Sequence, residues 1–267
     1  MIYYFSGTGN SEWAARELGK ALDEEVTFIP YQNPLEASPK GETIGFVFPV
    51  YSWGVPPLVI DFINRLPESF VRDIQRQKKD VWVVMTCGDE VALAPEMIKG
   101  TLEGRGIEVK SIWSIILPND YVLLPGFDVD SREVEKEKLR KAPSRIKEIA
   151  EGLKSGYTKL DVVRGSLCWA KTKLVYPLFK RWGVSTGKWH STESCVSCGL
   201  CVRNCPNSNI ELDKSGRPEW GTNCCSCVAC YHVCPRHAVE YGNITKKKGQ
   251  YLNPQKELCL RQKLSDD

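Results

Sequence analysis

Nine of the twelve cysteines of this 267-residue chain lie between positions 195 and 234, and the spacing of eight of them repeats. The pattern C-x2-C-x2-C-x3-C-P occurs at 195–206 and again, 29 residues later, at 224–235. The two runs contain Cys195, Cys198, Cys201 and Cys205, and then Cys224, Cys227, Cys230 and Cys234. Thiolates bind metal, whereas a disulfide framework would distribute its cysteines more evenly. The repeat therefore indicates a small metal-binding module with two similar halves.

This spacing resembles that of bacterial-type ferredoxins, which hold 4Fe-4S clusters and in which the fourth cysteine of each run ligates the other run's cluster. The resemblance implies two crossed ligand sets. The first set is Cys195, Cys198, Cys201 and Cys234, and the second set is Cys224, Cys227, Cys230 and Cys205. A zinc ribbon is the alternative, because paired C-x2-C segments also build zinc sites. Zinc needs neither the third cysteine nor the fourth with its proline, so the repeat favours iron-sulfur clusters.

The N-terminal segment contains a second pattern with the properties of a ligand site. It reads Ser6-Gly7-Thr8-Gly9-Asn10-Ser11 and lies between the first predicted strand and the first predicted helix. Backbone N–H groups, hydroxyls and the helix dipole converge at such a loop and bind phosphate. The dinucleotide fingerprint requires a third glycine where this chain has Glu12, and the P-loop requires Gly-Lys-Ser/Thr, which is absent here.

This loop resembles the flavodoxin phosphate motif T/S-x-T-G-x-T/S, which Ser6, Thr8, Gly9 and Ser11 match. The resemblance implies FMN as the ligand, and two further loops at the carboxyl ends of the third and fourth strands. The residues at those positions are Tyr51, Ser52, Trp53 and Gly54, and then Thr86, Cys87, Gly88 and Asp89. We expect Tyr51 and Trp53 to stack on the flavin or contact its edge, residues 86–89 to contact its pyrimidine edge, and Tyr121 to cover the ring.

Three of these residues have competing interpretations. Trp53 could be a core aromatic residue, but its small, polar and proline neighbours favour a loop and hence the flavin role. Cys87 could be a reactive thiol beside the flavin, but a buried cysteine at a strand end is favoured. Asp89, as an anion near the flavin, would lower its reduction potential, so Asp89→Asn is predicted to raise that potential.

Apolar periodicity predicts the elements that position these loops. Runs rich in β-branched and aromatic residues predict five strands, at 2–5, 26–29, 44–48, 81–86 and 109–117. Helical patterns lie at 11–22, 58–66, 94–102 and 132–153. The central runs are almost continuously apolar, which predicts a parallel sheet with helices on both faces. The expected fold class is α/β, a doubly wound five-stranded flavodoxin-like sheet of order 2-1-3-4-5, plus a small α+β bacterial ferredoxin domain.

The chain divides into a predicted FMN domain (1–155), a basic aromatic connector (156–190), a two-cluster ferredoxin domain (191–245) and a C-terminal tail (246–267). The connector carries seven Lys or Arg and one Asp, and its pattern at 166–182 allows an amphipathic helix kinked at Pro177. Docking to an acidic partner or a membrane surface is one interpretation. Packing of its aromatic residues between the two domains is favoured. The tail is expected to be solvated.

Composition excludes several classes of protein. Charged residues are balanced, 36 basic against 33 acidic, and 42% of residues are hydrophobic, which is typical of a globular chain. The longest uncharged run, 43–60, contains prolines, and the N-terminus has no leader pattern, so we expect a cytoplasmic protein. Two clusters and an FMN phosphate would change the formal charge of +3 to about −3, which removes the electrostatic basis for nucleic-acid binding.

Over nearly its whole length, the chain resembles fused flavodoxin-ferredoxin proteins of anaerobic bacteria and archaea. The segments 118–121 and 218–220 belong to the resemblance, besides the loop and the cysteine runs. It implies an electron-transfer iron-sulfur flavoprotein that carries two 4Fe-4S clusters and FMN and works with redox partner proteins. The alternatives are an FMN-dependent reductase of a small molecule, fed by the clusters, and a redox sensor.

Overall fold

Parallel strands form one six-stranded sheet in the order β2-β1-β3-β4-β5-β6. The computed structural model describes residues 1–183 and 186–265. The strands are β1 (Ile2–Tyr4), β2 (Val26–Phe28), β3 (Thr43–Pro49), β4 (Asp80–Cys87), β5 (Ser111–Ile116) and β6 (Leu160–Asp161). The central strands are buried on both faces, as their continuous apolar runs predict. The predicted α/β class and the order 2-1-3-4-5 are confirmed.

The predicted number of five strands is wrong, because the sheet has a sixth. Leu160 and Asp161 lie in the predicted connector and pair with Ile112 and Trp113 of β5. A strand of two residues is too short to show an alternating apolar pattern, so the sequence does not predict it. Leu160 is also 51% exposed, and the strand therefore lacks the burial that apolar patterns report. Arg145 holds this edge by donating to the Asp161 carbonyl oxygen at 3.0 Å.

Helices cover both faces of the sheet. On one face lie α1 (Asn10–Leu22) and α5 (Arg132–Lys154), and on the other lie α2 (Pro57–Asn64), α3 (Glu68–Gln77) and α4 (Ala94–Gly104). Helix α3 was not predicted, although Phe70, Val71 and Ile74 are apolar at helical spacing and are buried. The loops after β1, β3, β4 and β5 consequently meet at one edge of the sheet.

Residues 168–183 form one irregular helix, named here the connector helix. It comprises α6 (Cys168–Ala170), a π-helical segment (Lys171–Val175), α7 (Tyr176–Leu178) and a second π-helical segment (Phe179–Gly183). Thr172, Tyr176 and Phe179 follow a helical period and form its buried side. Pro177 provides no backbone N–H group, and wider turns lie on both sides of it.

The cysteine module consists of short elements around its own small core. Strand β7 (Trp189–Ser191) pairs antiparallel with β10 (Val239–Tyr241), and β8 (Ile210–Leu212) pairs antiparallel with β9 (Pro218–Trp220). Two one-turn helices, α8 (Leu200–Arg203) and α9 (Ala229–His232), follow the two cysteine loops. Pairing begins at Trp189, two residues before the predicted boundary of 191.

The expectation of a solvated C-terminal tail is wrong for its central part. Tyr251 and Asn253 are buried, with exposures of 5% and 2%, and helix α10 (Pro254–Ser265) follows them. Their contacts are made with residues almost 250 positions earlier, which no local sequence pattern reveals. Within the described part of the chain, none of the helices has the length and apolar character needed to cross a membrane.

Candidate functional site

A cavity of about 340 Å³ opens where the loops after β1, β3, β4 and β5 meet. The three loops predicted to share one ligand all contribute to its wall. The predicted residues on the wall are Ser6, Gly7, Thr8, Asn10, Ser11, Tyr51, Ser52, Trp53, Thr86, Cys87, Gly88, Asp89 and Tyr121. The volume lies at the lower end of the range for small-molecule sites, about 300–1,000 Å³. The cavity is therefore sized for a single ligand.

The loop at 6–11 is buried and internally bonded. Ser6 Oγ accepts the N–H of Gly9 at 3.1 Å, and the Asn10 amide donates to the Pro118 carbonyl at 2.9 Å. Gly9 has a φ of 103°, a conformation that favours glycine, and this residue caps α1. The N–H groups in the first turn of α1 have no hydrogen-bond acceptor within the helix, so an anion at this wall would accept hydrogen bonds from them.

Ser52 and Trp53 form a tight turn between Tyr51 and Gly54, which exchange two backbone hydrogen bonds of 2.9 Å. Both central residues have positive φ, 45° and 61°. Such conformations cost about 1–3 kcal/mol each for non-glycine residues and persist only when surrounding contacts enforce them. The turn projects Trp53 into the cavity wall at this cost.

Contacts from two other elements enforce this turn. The Trp53 indole N–H donates to Glu90 at 2.9 Å, and Thr172 of the connector helix donates to the Trp53 carbonyl at 2.8 Å. Lys171 Nζ lies 5.3 Å from the indole ring centre and also pairs with Glu90. The connector helix thus holds the aromatic residue that the sequence predicts to contact a flavin.

The segment after β5 completes the wall with aromatic and acidic groups. The rings of Tyr121 and Phe127 meet edge to face, with centroids 6.0 Å apart, and Phe127 meets Trp53 at 6.5 Å. Asp120 accepts a short hydrogen bond from the Thr8 hydroxyl. Burial raises the pKa of Asp120 to about 6, against the opposing effect of that hydrogen bond. The carboxyl group of Asp120 therefore contacts the loop at 6–11, which is named here the phosphate-type loop.

Four predicted site residues take less direct positions. Gly9 and Gly54 do not line the cavity: a Cβ on Gly9 would meet Lys256, and one on Gly54 would meet the Tyr176 ring.

Two predicted residues line the cavity in less direct ways. The Asp89 carboxylate is 85% exposed and lies 3.5 Å from Lys138 Nζ. Burial raises the pKa of Cys87 to about 12, so its thiol stays protonated at neutral pH, in agreement with the favoured structural interpretation.

The structure gathers the cysteines into two groups. Cys195, Cys198, Cys201 and Cys234 line one small cavity whose wall comes entirely from residues 195–239. In the other group, burial raises the pKa of Cys230 well above its ordinary value, and the nearby thiols of Cys227, Cys224 and Cys205 raise it further. In the described residues, no three His, Cys, Asp or Glu side chains are placed to hold a single metal ion.

Hydrogen-bond donors surround the second group of cysteines. The backbone N–H of Asn209 donates to Cys205 Sγ at 3.2 Å, and that of Ser226 donates to Cys224 Sγ at 3.3 Å. Three further buried donors have no acceptor among the described residues: Trp189 Nε1, Trp220 Nε1 and Asn209 Nδ2. Buried donors normally have partners, so these three fit a group that presents additional sulfur acceptors.

The second group of cysteines borders the large cavity. Ser226, Cys227 and Val228 form part of its wall, and a Cβ on Gly7 would collide with the Cys227 carbonyl oxygen. Burial raises the pKa of Tyr51 well above its ordinary value, with the Cys227 thiol the next cause. The phosphate-type loop and the second cysteine loop therefore share one wall.

The C-terminal segment fastens the phosphate-type loop from outside. The Tyr251 hydroxyl donates to the Asn10 side chain at 2.7 Å. The backbone N–H of Asn253 and the ammonium of Lys256 donate to carbonyl oxygens of the loop at 2.9 and 2.7 Å. Sequence reasoning missed all three residues because their partners lie far away along the chain.

His232, next to the second cysteine run, links the two halves of the protein. Its Nε2 donates to the Asp120 carbonyl at 2.8 Å, and its Nδ1 accepts the Tyr251 backbone N–H at 3.1 Å. Burial lowers the pKa of His232 to about 4. The imidazole is therefore neutral at physiological pH, in the tautomer that these two bonds require.

Comparison with known proteins identifies part of this arrangement. Residues 189–211, which contain the first cysteine run, match the family model of the 4Fe-4S binding domain. The C-terminal module therefore contains a 4Fe-4S binding domain, as the cysteine spacing predicts. No curated protein matches the chain.

Two solved structures are similar to the N-terminal half. One is the Trp repressor binding protein from Bacillus subtilis, with 18% identity and a TM-score of 0.38 over 55% of this chain and 96% of that one. The other is a provisionally assigned flavoprotein from Bacteroides uniformis, with 17% identity and a TM-score of 0.33 over 53% and 97%. At these TM-scores neither adds to the strand order described above, which by itself establishes the fold class.

Proposed function

We propose that this protein is an electron-transfer iron-sulfur flavoprotein, in which two 4Fe-4S clusters and FMN pass electrons to or from redox partner proteins. The observation that carries the proposal is the wall shared by Gly7 of the phosphate-type loop and Cys227 of the second ligand set. Electron transfer requires short separations between cofactors, and this contact supports the proposal because a flavin and a cluster bound at these residues would be neighbours.

The residues around the cavity fit FMN. The first turn of α1 would receive the phosphate, while Trp53, Tyr51 and Tyr121 would contact the isoalloxazine ring. Bound FMN exchanges one or two electrons, whereas each cluster exchanges one, which is the chemistry such a pairing supplies. The protein's own contribution is to orient the ring through the strained turn at 52–53 and to shield it from water.

The two cysteine groups fit two clusters better than zinc. The matched family binds 4Fe-4S, and the second run repeats the matched spacing. Cys205 lies near the second run's thiols and Cys234 near the first run's, which supports the crossed ligand sets that the ferredoxin resemblance implies. The unpartnered donors around the second group support a cluster there, because its sulfides would accept them.

The cavity volume favours an electron carrier over a reductase of small molecules. A site of about 340 Å³ is filled by one nucleotide-sized ligand. A reductase would need room for a second molecule against the ring. We therefore assign the exchange of electrons to partner proteins.

The test is an inventory of anaerobically purified protein. Iron, acid-labile sulfide and released flavin are quantified on one sample, and the visible spectrum is recorded through a reductive titration. We expect about eight iron, eight sulfide and one FMN per chain, with slow turnover of small acceptors unless a partner protein is added. Zinc in place of iron, or no flavin after reconstitution with FMN, would contradict the proposal.

A further inference from the structure

The unpartnered donors of the cysteine module point to a tuning role for two tryptophans. Within residues 1–183 and 186–265, four buried side-chain donors lack an acceptor, and three of them are Trp189 Nε1, Trp220 Nε1 and Asn209 Nδ2. The fourth, Arg105 Nε, belongs to the N-terminal domain. A buried N–H without a partner costs about 1–3 kcal/mol, so three in one small module require an explanation.

All three donors lie around the second ligand set. The indole N–H of Trp189 approaches the Cys224 thiol, and Trp189 lies in the same small core as Cys230. The indole N–H of Trp220 approaches the Cys230 thiol, and Asn209 already donates its backbone N–H to Cys205 Sγ at 3.2 Å. The two indoles stack with centroids 6.2 Å apart and planes 16° apart, so neither turns away independently.

We propose that Trp189, Trp220 and Asn209 donate N–H···S hydrogen bonds to the second cluster site and raise its reduction potential. Reduction adds negative charge to a cluster, and donors to its sulfur atoms stabilise that charge. The second set would then receive side-chain donors in addition to its backbone donors from Asn209 and Ser226. The inference rests on the proposed function, because it requires a cluster at the second set.

The test is a redox titration of Trp220→Phe and Trp189→Phe, in which phenylalanine keeps the apolar ring but lacks the donor. The two cluster midpoints are followed by electron paramagnetic resonance, with iron and sulfide measured on each sample. We expect the midpoint of the second cluster to become more negative in both variants, and that of the first to stay unchanged. Trp13→Phe is the matched control, because Trp13 is a half-buried residue of α1 outside the cysteine module, and its replacement should leave both midpoints unchanged.

Asn209→Leu supplies a second route if the aromatic variants lose their clusters, since it removes the side-chain donor without adding a charge near the cluster. Two intact clusters with unchanged midpoints in these variants would overturn the tuning role and leave the proposed function standing. A chain that contains no second cluster even in the unmodified protein would overturn both.

A second inference comes independently from the outer face of the connector helix. Of fifteen large apolar side chains that are exposed in the described residues, seven lie between 157 and 178. Those on or just before the connector helix are Leu167, Trp169, Leu174 and Leu178, with exposures of 75, 63, 53 and 50%. Leu174 and Leu178 are four residues apart and share one stripe of the helix.

The ionised side chains of this face are all positively charged. Residues 162–183 contain no Asp or Glu, and Lys173 and Lys180 are exposed beside the apolar side chains. The buried side of the same helix is bonded to the N-terminal domain through Thr172 and Tyr176, so the outer face stays available. Exposed leucine and tryptophan flanked by lysine are typical of helices that lie in a membrane interface.

We infer that this face associates with anionic lipid bilayers. Its exposed lysines complement the negative charge of an anionic bilayer, and a lipid interface accepts exposed leucine and tryptophan side chains without a preformed groove. Such association would place the cavity, whose Trp53 turn the same helix holds, close to the lipid surface.

The test is co-sedimentation of the holoprotein with phosphatidylcholine vesicles, with and without phosphatidylglycerol. We expect binding only to anionic vesicles, release by high salt, and at least a tenfold weaker partition for Leu174→Ser/Leu178→Ser and for Lys173→Glu/Lys180→Glu. Leu35→Ser is the control, because Leu35 on the N-terminal domain is 64% exposed, more than either leucine of the tested pair. Absence of binding, or an equal loss in the control, would overturn the inference, and retained flavin and iron would show that the variants fold.

Discussion

Two acidic residues near the cavity differ in their surroundings, and this difference decides which of them affects a bound anion. Asp89 is exposed and lies 3.5 Å from Lys138 Nζ, so solvent and a cation screen its charge. Asp120 is held against the phosphate-type loop by its bond with Thr8. The upward shift of potential predicted for Asp89→Asn is therefore expected to be small.

Asp120 should make the affinity for FMN depend on pH. The pKa of Asp120 in the folded protein, about 6, lies above its ordinary value of 3.8. The contribution of the protonated Asp120 to folding stability is therefore fully present below pH 4 and is lost as the pH rises through 6. Above pH 6 its negative charge should oppose the phosphate and weaken FMN binding by roughly fivefold, on the order of 1 kcal/mol. Fluorescence titration with FMN between pH 5 and 7.5 measures this effect.

The phosphate itself has a second pKa of about 6, so the difference between proteins is the informative quantity. Asp120→Asn should bind FMN more tightly than the unmodified protein at pH 7.5 and equally at pH 5. Asp89→Asn is the matched control and should show the parent profile. Parallel profiles for all three proteins would refute the role of Asp120.

Among the elements, the connector helix does more than join two domains. Its buried side bonds the turn at 52–53, whose positive φ angles would relax without support. The favoured interpretation of its aromatic residues agrees with Tyr176 and Phe179, which pack inward, and fails for Trp169, which is 63% exposed.

Removal of the Thr172 hydroxyl from the connector helix should loosen the turn. Thr172→Val keeps the shape but leaves the Trp53 carbonyl without its 2.8 Å donor and the Leu93 backbone N–H without its 3.1 Å acceptor. We expect a loss of about 1 kcal/mol in folding free energy and about fivefold weaker FMN binding. Lys173→Gln, on the exposed side of the same helix, should change neither. Denaturant unfolding and flavin titration measure both quantities, and equal behaviour of the two variants would argue against this support.

The C-terminal segment is a second element with a remote role, since it bonds the phosphate-type loop at three points. Tyr251→Phe removes the donor to Asn10 and leaves a buried amide oxygen with only its 3.3 Å contact to Asn253. FMN affinity should fall by about fivefold, with cluster content unchanged. A Tyr157→Phe variant, exposed after α5, controls for the substitution. Equal affinities would show that the segment does not support the loop.

At the scale of the whole molecule, the two halves are joined around the cavity rather than tethered by a linker. Cys225, Cys227 and Ala229 belong to the same buried cluster as the strands of the sheet. Val122 and Leu123 of the N-terminal half pack into the core of the cysteine module. Loss of order in one half should therefore reach the other.

The two ligand sets should differ in their effect on FMN. Cys227→Ser disturbs the set that forms the cavity wall, whereas Cys198→Ser disturbs the set enclosed by residues 195–239. We expect each variant to lose about four iron atoms, but only Cys227→Ser to weaken FMN binding strongly. Iron analysis and equilibrium dialysis with FMN are the measurements. Equal flavin affinity in the two variants would mean that the halves are independent.

Local pattern alone predicts much of this protein. The cysteine repeat, the loop at 6–11 and the apolar strands are recorded in contiguous segments, because ligand spacing, phosphate loops and buried strands each depend on neighbouring residues. The parallel sheet order then brings three separate loops to one cavity, a consequence that topology rules supply.

Only the tertiary structure decides how the two halves meet. The contact of Gly7 with Cys227, the bonds of His232 to Asp120, and those of Tyr251 to Asn10 join positions 112 to 241 residues apart. The two-residue strand β6 and the burial of Tyr251 have the same origin. Such contacts depend on the complementarity of folded surfaces, and neither periodicity nor spacing along a single chain encodes which distant surfaces are complementary.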